Sequence, residues 1–215
     1  MITGEKMETK SKVRTPKQER SIQKKQSIRS TSLELFCKNG YHQTTTNQIA
    51  KEARISVGSL YEYYPNKEAI LIEILNDYFE QFLNHEESIT LLFTTEIHTE
   101  DKGHWLKTLI NNLIASHTSS LSFNRELQYL YFSIPQVADI CNKQKAQMRQ
   151  IIYNSLLSIK DELIVTDLEA ATIIFMDLLD KIIDRITLYP LPIENERIID
   201  QGIHAICLFL FGKTY

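Results

Sequence analysis

Three tyrosines and a lysine crowd one short stretch of the chain. In ISVGSLYEYYPNKEAI, residues 55–70, Tyr61, Tyr63 and Tyr64 fall within four positions, and Lys67 follows Pro65. A tyrosine ring can pack against a sugar while its hydroxyl bonds a phosphate oxygen, and a lysine adds a positive charge. The stretch therefore offers phosphate-binding chemistry.

Motifs for catalysis or metal binding are missing from the sequence. The six histidines show no HExxH or Cys/His ligand spacing, and no GxGxxG, P-loop or nucleophile elbow occurs. No Ser-His-Asp order can be assigned either. We therefore expect no enzymatic activity, no metal site and no cofactor.

The charge is distributed unevenly along the chain. Residues 1–67 hold 13 Lys and Arg against 6 Asp and Glu, whereas the remainder holds 11 against 21. This asymmetry predicts an anion-binding head on an acidic body. Residues 1–15 read as a basic flexible arm, which is either a solvated tail or a minor-groove arm.

The cysteines and apolar runs indicate a cellular location. Cys37, Cys141 and Cys207 are far apart and form no CxxC pair, as is typical of reduced thiols. Apolar runs such as residues 205–211 are far shorter than the roughly 20 residues of a membrane span. The N-terminus lacks a signal-peptide apolar region. We expect a cytoplasmic protein that does not enter a membrane.

Helical periodicity and helix-start signals predict an all-α fold. Only six glycines and five prolines are present, which leaves little turn chemistry for β-structure. Capping boxes begin at Thr15, Thr45 and Thr166, and Ser56 and Asn66 can cap two further helices. The predicted helices are 16–38, 46–53, 57–64, a long helix from 67, 104–118, 123–133, 136–160, 167–188 and 194–212. Residues 90–103 read as a loose connection.

The two short helices, at 46–53 and 57–64, form a candidate helix-turn-helix. Its core would consist of Ile49, Ala50, Ala53, Ile55, Leu60 and Tyr64. The start of the second helix then projects Val57, Gly58, Ser59, Tyr61 and Tyr63, the positions that meet base edges and phosphates in this motif. Gly58 and Ser59 keep that surface low enough for DNA to approach.

Residues 33–71, LELFCKNGYHQTTTNQIAKEARISVGSLYEYYPNKEAIL, resemble the TetR family of transcriptional regulators. The pattern is Phe-x-x-x-Gly-Tyr, paired threonines, Ile-Ala and a turn, then Gly-Ser-Leu-Tyr, an aromatic pair and Lys-Glu. The positions that match are Phe36, Gly40, Tyr41, Thr45, Thr46, Ile49, Ala50, Ser56, Gly58, Leu60, Tyr61, Tyr64, Lys67 and Glu68. Beyond this segment the chain matches only in length and helical character.

The resemblance implies an N-terminal three-helix DNA-binding domain, residues 16–67, and a C-terminal helical domain, residues 68–215, for effector binding and dimerisation. It also places Thr46 and Asn47 at the start of the supporting helix, near phosphate or bases. The complete set of candidate DNA contacts is Thr45, Thr46, Asn47, Val57, Gly58, Ser59, Tyr61, Tyr63 and Lys67.

The sequence departs from the family pattern at two places. Arg54 stands where the turn glycine is usual, so the turn is either strained or differently shaped. In the first helix, Arg29, Thr31 and Ser32 replace the usual Leu and Ala-Ala, which leaves the packing face more polar.

The family resemblance also implies an effector pocket in the C-terminal domain. The candidate lining residues are Trp105, Leu109, Leu113, Phe123, Tyr129, Phe132, Met148, Ile152, Phe175 and Met176. Each of them could instead belong to an ordinary core. As a set they favour a small apolar or aromatic effector.

The last two helices are strongly apolar and are the expected interface of a homodimer. The candidate interface residues are Ile174, Leu178, Ile182, Ile203, Ile206, Leu210 and Phe211. A symmetric dimer predicts a near-palindromic operator in double-stranded DNA, with half-sites about 34–36 Å apart or a multiple of that. Release from DNA would follow binding of the effector.

Two other functional classes remain open. One is a DNA-binding regulator or activator without an effector. The other is a helical ligand-binding protein that does not bind DNA and whose basic head keeps it soluble. Binding to the protein's own upstream DNA separates these classes.

Overall fold

The structure, a computed structural model, describes residues 16–213, apart from the side chains of residues 16–18, 81–90 and Ser119. This range is all-α, as predicted, and contains no β-strand. The helices are α1 (Pro16–Asn39), α2 (Thr46–Glu52), α3 (Val57–Tyr63), α4 (Lys67–Thr94), α5 (Lys102–Ser119), α6 (Leu121–Ser133), α7 (Pro135–Ser158), α8 (Leu168–Leu188) and α9 (Asn195–Phe211). Short 3₁₀ helices span Glu96–His98 and Lys160–Glu162. The predicted arm, residues 1–15, and the Thr15 capping box lie outside the described residues.

Local capping signals fix where the first helices begin. The Thr45 capping box is confirmed, and Ser56 and Asn66 cap α3 and α4 as predicted. The prediction was wrong at Thr166, because the capping residue is Asp167, whose Oδ1 accepts the Ala170 N–H at 3.0 Å.

The predicted loose connection at residues 90–103 was also partly wrong, because α4 continues to Thr94. Leu92 and Phe93 are buried there, and the Phe93 ring lies 6.3 Å from the Trp105 ring. The Trp105 indole N–H donates to the Leu92 carbonyl at 2.8 Å. Tertiary packing thus extends the helix through a threonine-rich segment with modest intrinsic helix propensity.

Two apolar clusters organise the helices. The head cluster joins residues of α1–α3 to the first half of α4, and it also takes in Phe123 and Leu130 from α6 and Val137 from α7. The body cluster is built from α5, α7, α8 and α9 together with the end of α4. Helix α6 therefore contributes to the packing of the head although it follows residue 67 in the chain.

The polar face of α1 is explained by ion pairs with α4. The Arg29 guanidinium contacts Glu73 and Asp77, and Lys25 lies 2.7 Å from Glu73. Arg29 thus bridges the helices through charge rather than through an apolar side chain. The nearby Ser32 is fully buried, and its hydroxyl has no hydrogen-bond partner among the described residues.

Candidate nucleic-acid interface and body cavity

Helix α2 is held at its start by a reciprocal pair of hydrogen bonds. The Gln48 N–H donates to Thr45 Oγ1 at 3.2 Å, and the Thr45 N–H donates to Gln48 Oε1 at 2.8 Å. The Thr45 hydroxyl, a candidate DNA contact, is therefore engaged in capping. Asn47 is exposed beside it.

The turn between α2 and α3 is closed by a residue in the left-handed region. Arg54 has φ 56°, and its N–H donates to the Lys51 carbonyl at 3.1 Å. The Ile55 N–H donates to the Ala50 carbonyl at 3.0 Å. Of the two predicted alternatives, the structure shows the strained turn, because Arg54 adopts the conformation that glycine adopts at little cost.

Helix α3 separates buried residues from exposed ones only in part as predicted, because Val57 and Tyr63 were expected to project. Leu60 and Tyr64 are buried against the head cluster, whereas Gly58 is exposed and Tyr61 is 50% exposed. Val57 and Tyr63 are half-buried and pack against the same cluster. Ser59 is half-buried, and its N–H donates to Ser56 Oγ at 3.1 Å.

A polar pair joins the outer faces of the two helices. The Tyr61 hydroxyl and Thr46 Oγ1 lie 3.1 Å apart and share a hydrogen bond. Tyr61 is exposed and Thr46 is half-buried, and Asn47 and Gly58 on the same two helices are also exposed. Hydroxyl and amide groups of this kind can donate to phosphate oxygens and to base edges.

Lys67 differs from its predicted role as a phosphate contact. Its ammonium donates to the carbonyls of Tyr41 at 2.5 Å and Thr44 at 2.7 Å, and it lies 4.1 Å from the centre of the Tyr41 ring. Burial lowers the pKa of this lysine. The charge therefore stabilises the turn that precedes α2. The sequence alone could not show which carbonyls of that turn lack a donor.

The body contains a cavity of about 560 Å³ among α4–α8. Of the ten candidate pocket residues, Leu113, Phe132, Met148, Ile152 and Met176 line it. Four aromatic residues that also line it were not among the candidates: Tyr78, Phe79, Phe93 and Tyr131. Their helical spacing was visible in the sequence, but nothing in it distinguished a cavity wall from a core.

The other five candidates lie elsewhere. Trp105, Leu109 and Phe175 are buried in the body cluster, and Phe123 belongs to the head cluster. Tyr129 is 75% exposed and does not line the cavity. Apolar spacing identifies the inward face of a helix, and most of such a face packs against neighbouring side chains rather than against open space.

Several polar groups interrupt the apolar wall of the cavity. The Tyr78 hydroxyl donates to Asn124 Oδ1 at 2.8 Å. Burial lowers the pKa of His117, and the charge of Asp184 opposes that shift. Asp180 lines the cavity and keeps an exposed part, and its partial desolvation there raises the pKa of its carboxyl group.

The predicted dimer interface is wrong in part. Ile203, Ile206, Leu210 and Phe211 are buried in the chain's own body cluster, because α9 turns its apolar stripe towards α5 and α8. A separate set of α8 residues remains accessible: Ile174 is 46% exposed, and Leu178 and Ile182 are half-buried.

Neither metal-binding clusters nor membrane-spanning helices occur within the described part of the chain. No group of three or more His, Cys, Asp or Glu side chains is arranged to hold a metal ion. None of the helices there combines the length and the apolar character needed to cross a bilayer. The three cysteines are free thiols.

Comparison with known proteins identifies the N-terminal part. Residues 28–74 match the family of bacterial regulatory proteins, tetR family. The uncharacterised HTH-type transcriptional regulator YuxN of Bacillus subtilis (strain 168) is 30% identical over 122 residues, which are 57% of this chain and 34% of YuxN. The chain spans about a third of the length of the first curated relatives it matches.

Solved structures share the fold of most of the chain. A TetR transcription regulator from Haloarcula marismortui superposes with a TM-score of 0.67 at 17% identity and covers 88% of this chain and 99% of its own. AibR, solved in complex with isovaleryl coenzyme A and operator DNA, gives a TM-score of 0.60 at 18% identity, with coverages of 85% and 97%. At these identities the likeness concerns the fold.

The relatives are transcriptional regulators and not enzymes, in keeping with the absence of catalytic motifs from the sequence. The matched family segment contains the helix-turn-helix of α2 and α3 and the turn on either side of it. The chain thus carries the DNA-binding domain of the TetR family of bacterial transcriptional regulators at residues 28–74, within an all-α fold that TetR-family structures share.

Proposed function

We propose that this protein is a cytoplasmic, homodimeric repressor that binds a near-palindromic operator and is released by a small apolar or aromatic effector. The DNA-binding unit is residues 16–67, and residues 68–215 bind the effector and dimerise. The outer surface of α2 and α3 carries the proposal, because it offers the hydrogen-bonded pair of Tyr61 and Thr46 and the exposed Gly58.

Gly58 gives the clearest support for DNA binding. A Cβ atom built there would meet only Ser56 Oγ, at 4.0 Å. The protein's own packing therefore does not require glycine, although glycine costs a helix about 1 kcal/mol relative to alanine. Close approach of a DNA backbone explains why this position lacks a side chain.

The remaining contacts follow from exposure and chemistry. Thr46, Asn47, Ser59 and Tyr61 supply hydroxyl and amide groups. Val57 and Tyr63 offer apolar edges. Thr45 and Lys67 act indirectly, by capping α2 and by holding the turn before it.

The cavity supports release by an effector. Its volume lies within the range typical of small-molecule sites, roughly 300–1,000 Å³, and its rings and aliphatic side chains suit an apolar or aromatic molecule. AibR provides a precedent for one fold that holds both a ligand and operator DNA. An effector that binds better when the heads are misplaced lowers operator occupancy, by no more than its differential affinity for the two states.

A binding assay on the full-length protein tests the proposal. We expect the wild-type chain to bind duplex DNA from its own upstream region, with an affinity that falls steeply as salt rises. Gly58→Ala should weaken that binding about tenfold or more, and should leave the melting temperature unchanged or higher.

Ser21→Ala, a change of similar size on α1, serves as the control. Equal affinity of wild type and Gly58→Ala for every duplex would contradict the proposed contact surface. Binding that no compound from a library of apolar and aromatic molecules alters would favour a regulator without an effector.

A further inference from the structure

Helix α6 has two faces with different environments. Phe123 and Leu130 point into the head cluster. Asn124, Gln128 and Phe132, on other sides of the helix, line the body cavity. One rigid element thus belongs to the packing of the head and to the wall of the cavity.

Glu126 lies between Phe123 and Leu130 on the face that meets the head. Its Oε1 accepts the backbone N–H of Tyr41 at 2.6 Å, across 85 positions of sequence. A charged acceptor makes this a stronger bond than one between neutral groups. The same carboxylate helps to raise the pKa of the Cys37 thiol, after burial as the main cause, which places its charge beside the end of α1.

The turn that Glu126 contacts leads directly to α2, the first helix of the helix-turn-helix. Gly40, with φ 83°, ends α1, and Thr45 caps α2 only five residues later. The turn is held internally as well, since the Thr44 hydroxyl donates to the Gly40 carbonyl at 2.9 Å.

Two opposite charges hold this turn from outside. Lys67 at the start of α4 binds its carbonyls, and Glu126 from α6 binds its Tyr41 amide. A second contact, between Ser133 Oγ and His42 Nε2 at 3.5 Å, adds a weaker link from the end of α6. Glu126 and Ser133 both belong to α6, the helix that also lines the cavity.

We propose that Glu126 is a positioning residue for DNA recognition: it fixes the turn at Tyr41, and through that turn the placement of α2 and α3 relative to the body. The inference rests on the proposed function.

The test compares full-length variants on two duplexes. The first is the tightest duplex that the wild-type protein selects from a random-sequence pool, and the second is a scrambled duplex of equal length. We expect Glu126→Ala to weaken binding to the selected duplex about tenfold and to change binding to the scrambled duplex less than twofold. Glu126→Gln, which keeps an acceptor oxygen, should recover at least half of the loss on a logarithmic scale.

Glu34→Gln is the control for charge, since it removes an equal charge from an exposed position on α1. It should leave both affinities unchanged. Amide hydrogen exchange provides a structural measurement, in which the Tyr41 amide should exchange faster in Glu126→Ala than in wild type. If Glu126→Ala does not fold, the comparison of Glu126→Gln with Glu34→Gln decides the matter, and a loss confined to the selected duplex is the supporting result.

The outcomes are distinguishable. If the wild-type protein selects no duplex, the proposed function fails and this inference fails with it. If the wild type selects a duplex that Glu126→Ala binds equally well, only the role of Glu126 is overturned. An equal loss on both duplexes would show general damage to the head and would also overturn it.

Discussion

The backbone conformation of Arg54, which the turn between α2 and α3 requires, costs the folded protein free energy. At φ 56° its Cβ is crowded, and a non-glycine residue in this region loses on the order of 1 kcal/mol. We predict that Arg54→Gly raises the melting temperature by about 2–4 °C. Arg54→Ala, which removes the same side chain but keeps the Cβ, should give no such increase. Equal melting temperatures for the two variants in a thermal scan would refute the strain.

Asp180 yields a prediction about pH. Partial desolvation in the cavity raises the pKa of this carboxyl group in the folded protein, so the folded state binds a proton more readily than the unfolded chain does. The protonated Asp180 side chain therefore contributes stability at a pH below its pKa in the unfolded chain. That contribution is lost as the pH rises through its pKa in the folded protein. At pH 7 the ionised group destabilises the fold.

We predict that Asp180→Asn raises the melting temperature at pH 7 and that the gain shrinks as the pH is lowered towards 4. The reason is that asparagine has no charge to desolvate. Asp161→Asn, at an exposed position on the 3₁₀ helix Lys160–Glu162 and not among the residues that line the cavity, is the control and should change little. Melting curves at several pH values give the comparison, and a gain that grows on acidification would contradict the assignment.

Lys67 shows what sequence-based prediction cannot determine for a single residue. Its type and its place at a helix start suggested an exposed phosphate contact, but its ammonium is drawn inward by the carbonyls of Tyr41 and Thr44. Lys102 also turns inward: it is 1% exposed, and its ammonium lies 2.8 Å from Glu162. The long lysine side chain can reach either solvent or a buried acceptor, and the choice depends on neighbours distant in sequence.

Among the elements, helix starts were the most predictable feature. Thr45, Ser56 and Asn66 cap α2, α3 and α4 because capping depends on residues within one turn. Helix ends and faces were less predictable, since they depend on tertiary contacts. Helix α4 includes residues 90–94 because Phe93 packs in the body cluster. The apolar stripe of α9 packs in the body cluster of the same chain rather than against a partner chain.

The packing of α9 on α8 depends on the absence of a side chain at Gly202. A Cβ at Gly202 would clash with Cδ1 of Ile182 and would lie 3.0 Å from its Cγ1, so the glycine lets the two helices approach closely. We predict that Gly202→Ala lowers the melting temperature despite the better helix propensity of alanine. Adding Ile182→Val, which removes the Cδ1 atom, should restore much of the loss.

The double-mutant comparison makes this prediction specific to the contact. Ile182→Val alone deletes one methylene and should lower stability slightly, by about 0.5–1.5 kcal/mol at most. If the effects of the two substitutions simply add in thermal scans, the close approach of α8 and α9 at Gly202 is not what destabilises Gly202→Ala.

For the molecule as a whole, the sequence indicated two functional parts but not how they interlock. The head cluster recruits Phe123, Leu130 and Val137, which lie far beyond residue 67. Such contacts have large sequence separation, and helical periodicity contains no information about which inward faces meet. The cavity shows the same limit, because its walls come from five helices and become visible only when those helices are placed together.

The proposed dimer is the remaining feature at this scale, and Ile174 on α8 allows it to be tested. Ile174 is the most exposed of the predicted interface residues. At a symmetric contact an aspartate in its place would be buried against the same aspartate of the partner, and burying two like charges would destabilise the dimer. We predict that Ile174→Asp converts a dimer to a monomer in light-scattering measurements, while Ile22→Asp, at an exposed apolar position on α1, leaves the dimer intact.

The same substitution should alter DNA binding in a way that only loss of the dimer explains. A monomer contacts one half-site, so Ile174→Asp should bind an isolated half-site like the wild-type head but lose the preference for the complete palindrome. The slope of the logarithm of affinity against the logarithm of salt concentration should fall to about half, because half as many phosphates are neutralised. A monomeric variant that keeps the full slope and the palindrome preference would show that recognition does not require two copies of the chain.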